Sequence, residues 1–72
     1  MSLGNQIRQL RKNNGLTQDQ FAQKFHVTRQ TVSNWENDNI QPSIEMLVRI
    51  AKLFHVSTDY LLDLDSARTI NV

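Results

Sequence analysis

The 72 residues contain no cysteine, one proline and two glycines, and each scarcity excludes something. Without cysteine there are no disulfides, no thiolate metal sites and no thiol nucleophile. The two histidines, His26 and His55, stand too far apart in sequence to form a local ligand pair. No phosphate-cradling glycine loop and no nucleophile–base constellation is visible, so neither an enzyme nor a cofactor is expected. No run of apolar residues approaches the ~18 needed to cross a membrane. The segment Met1-Ser2-Leu3-Gly4-Asn5-Gln6 has no basic stretch followed by an apolar one, so it does not read as a secretory leader. These absences lead us to expect a cytoplasmic protein with no membrane partner and no recognisable small-molecule ligand.

A chain this short is one domain, and it buries only roughly 60% of the surface its unfolded form exposes. Stability has to come from helix packing, with dimerisation as a further source. Net charge is +1, but it is unevenly distributed. Residues 1–37 sum to +3 (Arg8, Arg11, Lys12, Lys24 and Arg29 against Asp19 and Glu36), while residues 38–72 sum to −2. That polarity suits a molecule facing a polyanion with its first half, although counts this small also fit an ordinary surface mixture.

With so little turn-forming punctuation and apolar residues at helical spacing, the chain reads as all-α. A first helix over about 3–13 buries Leu3, Ile7 and Leu10 and ends at Asn13-Asn14-Gly15. Thr17-Gln18-Asp19-Gln20 is a capping-box pattern opening a second helix over 18–25, which buries Phe21, Ala22 and Phe25. Thr28 caps a third helix over 29–37, anchored by Val32 and Trp35. In the loop Asp38-Asn39-Ile40-Gln41-Pro42, Ile40 is expected to tuck inward. Ser43 caps a fourth helix over 44–54 with Ile44, Leu47, Val48, Ala51 and Phe54 on one face, and His55 ends it. Ser57 caps a short fifth helix with Tyr60, Leu61 and Leu64. We place the domain at 1–64 and a tail at 65–72, with Tyr60, Leu64, Ile70 and Val72 as the apolar candidates for self-association.

Residues 18–37 carry the function. The link Phe25-His26-Val27-Thr28 is too short to fold the second and third helices into an antiparallel pair. It makes them cross steeply, with small Ala22 at their closest approach, in helix-turn-helix geometry. At 100° per residue, Arg29, Gln30, Ser33, Asn34 and Asn37 share an arc of roughly 140°, opposite Val32 and Trp35. Arginine pairs with guanine, Gln and Asn pair with adenine, and Ser and Asn reach phosphates. A merely solvated face would favour Glu and Lys, since Asn and Ser are poor helix formers. The expected partner is double-stranded DNA.

Over residues 3–62 the chain resembles the Cro/repressor-type helix-turn-helix family, also called the xenobiotic-response-element family. The likeness rests on Gly15-Leu16-Thr17-Gln18, on Val27 through Asn37, and on Val56-Ser57-Thr58-Asp59-Tyr60-Leu61-Leu62. It implies a lambda-repressor-like five-helix domain that binds an operator as a homodimer and regulates transcription, as a repressor in the first instance. By the same resemblance, Gln18 clamps a phosphate and can touch the outermost base, Thr28, Arg29, Gln30 and Asn34 meet DNA at the front of the recognition helix, and Asn37 takes a phosphate from the rear. Arg11 and Glu36 match a structural ion pair of some phage repressors. Two positions depart from the family pattern. His26 stands where the turn usually has glycine, and the loop from Asp38 lacks the usual glycine and basic residues, which implies a modest salt dependence. The competing reading is a protein-interaction module, or an antitoxin that binds both DNA and a toxin.

Overall fold

In the computed structural model, which describes residues 2–62, every helix begins on a hydroxyl. The helices are α1 (Leu3–Asn13), α2 (Gln18–Lys24), α3 (Arg29–Glu36), α4 (Ile44–Phe54) and α5 (Thr58–Leu62). Ser2, Thr17, Thr28 and Ser43 accept hydrogen bonds from the backbone N–H of Asn5, Gln20, Thr31 and Met46. Ser57 accepts likewise from Tyr60 at 2.9 Å. At α2 the capping box is complete, because the Gln20 side chain also accepts from the Thr17 N–H at 2.9 Å. These contacts satisfy donors that have no partner within their own helix.

Four helices also stop in the same way. A left-handed residue stands directly after the cap in α1, α2 and α3 and is the cap itself in α4, and the next N–H reaches back to the helix's last turn. The left-handed residues are Gly15, His26, Asp38 and His55, with φ of 69°, 56°, 59° and 57°. The returning bonds run from Leu16 to the Arg11 carbonyl, Val27 to Ala22, Asn39 to Asn34 and Val56 to Ala51, at 2.9 to 3.1 Å. Histidine and aspartate occupy this region more readily than most L-residues, which is how three of the four stops manage without glycine.

The core joins Ile7 and Leu10 of α1, Phe21 and Ala22 of α2 together with its cap Phe25, Val32 and Trp35 of α3, Leu47, Ile50 and Ala51 of α4, and Leu61 of α5. Phe21 and Phe54 stack with centroids 5.5 Å apart, and Phe25 tilts against Phe21 at 5.0 Å. The rings thereby bind α2 to α4. Gln6, buried in α1, donates from Nε2 to the Tyr60 carbonyl at 2.9 Å, tying α1 to α5.

Several expectations need correction. Ile40 does not tuck inward but is 57% exposed, and the loop residue that is buried is Pro42. Ile44 is 79% exposed. It opens α4, and side chains tilt toward a helix's N-terminus, so Ile44 projects past the end of the core. Ile50, which the expected apolar face omitted, is fully buried, while Val48 is only half-buried. Helices α2 and α3 each end one residue earlier than expected, with Phe25 and Asn37 as their caps. Tyr60 is half-buried and packs against the core rather than standing free. Leu64, Ile70, Val72 and the whole 65–72 tail lie outside the described residues. Among the described residues no helix is long and apolar enough to cross a membrane.

Candidate nucleic-acid interface

The third helix is held from behind. Val32 is fully buried and Trp35 is 5% exposed, so the helix cannot roll without opening the core. That fixes which edge faces out. Thr28, Arg29, Gln30 and Asn37 are exposed, and Ser33 and Asn34 are half-buried. Gln18, at the front of α2, joins Arg29, Gln30 and Ser33 around a shallow concavity of about 360 Å³. Four of the expected site residues of α2 and α3 therefore come together, while Thr28, Asn34 and Asn37 lie outside this concavity.

Their side chains are partly pre-set. Gln30 Nε2 donates to Asn34 Oδ1 at 3.2 Å, one helical turn away. The Thr28 hydroxyl caps the Thr31 N–H at 3.1 Å and shares a hydrogen bond with the Thr31 hydroxyl at 2.9 Å. Thr28 is thus committed to starting the helix and can add only its remaining lone-pair capacity to a ligand.

Behind the edge lies a buried carboxylate. The Glu36 side chain has no exposed surface, and Arg11 grips it with two bonds, Nε to Oε2 at 2.6 Å and Nη2 to Oε1 at 3.1 Å. Arg11 also donates from Nη1 to the Leu16 carbonyl at 2.9 Å. Arg8 adds its Nε at 3.4 Å, and Gln18 adds Nε2 at 3.2 Å. Burial by itself pushes the Glu36 carboxyl up, but hydrogen bonds from Arg11 and Gln18, the Arg11 charge and the Arg8 bond outweigh it. The group is held below its ordinary pKa.

This hub orients the two flanking amides. An ionised carboxylate only accepts, so Gln18 must meet Glu36 through its NH2, leaving its second N–H and its carbonyl for other partners. An arginine only donates. Arg8 Nη2 lies 2.9 Å from Asn37 Oδ1, so the Asn37 oxygen is engaged from behind. Its NH2 faces Ser33 Oγ at 3.4 Å and the exterior.

The sequence reading missed Arg8, Gly4, Asp38 and Gln6. Arg8 and Arg11 are three residues apart on one helix face, and that spacing is the signal that could have assigned both to a single anion. Gly4 sits where α1 crosses the end of α3. A Cβ there would lie 2.5 Å from the carbonyl oxygens of Trp35 and Glu36 and 2.8 Å from Asp38 Oδ1. Asp38 takes the left-handed stop of α3 and accepts the Gly4 N–H at 2.9 Å. Its carboxyl is held low by a hydrogen bond from the Ser2 side chain, by the Gly4 N–H and by the Arg8 charge. The loop from α3 thus supplies an anion to the positive end of α1.

Comparison with known proteins agrees with this architecture. The Helix-turn-helix family matches residues 7–61. The chain is 37% identical over 71 residues to the HTH-type transcriptional regulator ImmR of Bacillus subtilis, covering 99% of this chain and 56% of that protein. It is 39% identical over 62 residues to the HTH-type transcriptional activator BcrR of Enterococcus faecalis, covering 86% of this chain and 30% of that one. The chain therefore spans 30% of one of these relatives and 56% of the other. The crystal structure of the P22 c2 repressor protein in complex with synthetic operator 9T superposes with a TM-score of 0.79 at 31% identity, covering 86% of this chain and 94% of that one. The architecture, the family match and these relatives agree, and the chain belongs to the Cro/repressor-type helix-turn-helix family.

Proposed function

We propose that this chain is a sequence-specific double-stranded DNA-binding transcriptional regulator, acting in the cytoplasm as a repressor, with α3 lying in the major groove. The observation that carries this reading is the division of α3 into a locked inner edge, Val32 and Trp35, and an all-polar outer edge. Arg29, Gln30 and Asn34 read base edges, and each good bidentate contact discriminates by roughly 1–3 kcal/mol. Gln18, Thr28, Ser33 and Asn37 hold phosphates and set the register. The likeness to a repressor in complex with a synthetic operator supports the DNA partner and the repressor role. We further propose that two copies bind as a symmetric dimer, with half-sites about one helical turn apart.

Selection of bound sequences from a random duplex pool tests all of this. The expected product is a palindromic consensus that Asn34→Ala relaxes at one base pair per half-site, whereas Gln18→Ala weakens all sequences alike. No enrichment, together with no binding to random duplex at low salt, would instead indicate a protein-interaction module. An unaltered consensus with Asn34→Ala would remove Asn34 from the reading set.

A further inference from the structure

Three of the eight Lys and Arg residues in the chain converge on one place away from the reading edge. Lys24 at the end of α2 and Arg49 and Lys52 on α4 surround a shallow groove of about 360 Å³ whose floor is Phe25 and Leu53. Arg49 is already held there, its guanidinium carbon 6.0 Å from the centre of the Phe25 ring. Leu53 is 46% exposed. No carboxylate lines the groove. Among the described residues the ion pairs of Arg and Lys are those of Arg8 and Arg11 with Glu36, and none of them involves Lys24, Arg49 or Lys52. The concavity at the reading edge, by contrast, has Arg29 as its one cation.

The two sites share no residue. Gln18 and Lys24 lie at opposite ends of α2, about 9 Å apart along its axis at 1.5 Å per residue. A phosphate backbone would satisfy the cations but offers no apolar surface for Leu53. A peptide with carboxylates on either side of an aliphatic side chain satisfies both.

We propose that this groove docks an acidic segment of a partner protein, seating one aliphatic side chain against Phe25 and Leu53 and its carboxylates against Lys24, Arg49 and Lys52. This goes beyond DNA recognition and leaves the reading edge free, so such a partner can engage the regulator while it is on DNA.

The probe is an acetylated peptide, Asp-Asp-Leu-Leu-Asp-Asp, titrated into the isotope-labelled chain and followed by amide NMR shifts. The expected result is saturable shifts centred on Lys24, Phe25, Arg49, Lys52 and Leu53. Combining Lys24→Gln with Lys52→Gln should weaken the peptide about tenfold or more while leaving the thermal melt unchanged. Three outcomes overturn the proposal. The peptide could move no groove amide, or random duplex DNA could move the groove amides, making this a phosphate surface. Truncation after Leu62 could also shift them, making the chain's own end the occupant. The peptide arm reports on the groove alone, so it stands or falls separately from the DNA reading.

Discussion

Substituting alanine for Gly4 sets two physical effects against each other. By helix propensity alone, Gly→Ala inside a helix stabilises by roughly 0.5–1 kcal/mol. At this position the added methyl would sit 2.5 Å from two backbone carbonyl oxygens, Trp35 and Glu36, and 2.8 Å from Asp38 Oδ1. An ordinary carbon–oxygen contact is about 3.4 Å, so α1 must retreat from α3 by several tenths of an ångström. The carbonyls cannot yield alone, since both belong to the last turn of a helix locked by Val32 and Trp35. Overpacking of this kind costs about 1–3 kcal/mol, which exceeds the propensity gain. The shift also lengthens the Gly4–Asp38 hydrogen bond, 2.9 Å in the native chain. The net expectation for Gly4→Ala is destabilisation by about 1–2 kcal/mol, or a Tm lower by roughly 4–16 °C for a domain of this size. Thermal and urea unfolding followed by circular dichroism measure it directly. A variant as stable as the native chain, or more so, would refute the claim that α1 and α3 are packed at the limit of glycine.

Glu36→Gln should destabilise by about 3 kcal/mol or more in urea unfolding, because Arg11, almost wholly buried, loses its counter-charge. The same carboxylate predicts an acid limb. Its pKa is depressed on folding, so its contribution is complete above its unfolded value of about 4.3 and is lost as pH falls through the folded value. Asp38 acts in the same direction. Unfolding midpoints should therefore decline below about pH 4, and a flat profile there would count against the network. At His26, whose φ is 56°, valine should cost about 1–2 kcal/mol relative to glycine, because a β-branched residue resists the left-handed region. Equal melting temperatures for the two variants would show that the turn has another way to close.

Much of this was legible in the sequence because helix boundaries are written in local chemistry. Thr17, Thr28 and Ser43 mark their own helix starts, and Val32 and Trp35 mark the inner edge of α3 by spacing alone. What stayed hidden depends on partners distant in sequence. Gly4 and Asp38 meet across 34 residues and Arg8 and Asn37 across 29, and nothing local announces either contact. Ile40 and Ile44 misled for a related reason. Periodicity says which face of an element is apolar, but not whether the core extends far enough to cover its end.

The neutralisation of Glu36 by Arg8 and Arg11 has a bearing on how such a protein would find its site. Two guanidinium groups are committed to one internal carboxylate, leaving Arg29 as the cation on the outer edge of α3. Weak general adhesion to nucleic acid means little titration by the vast excess of irrelevant sequence in a genome, where the ratio of specific to non-specific binding matters more than either alone.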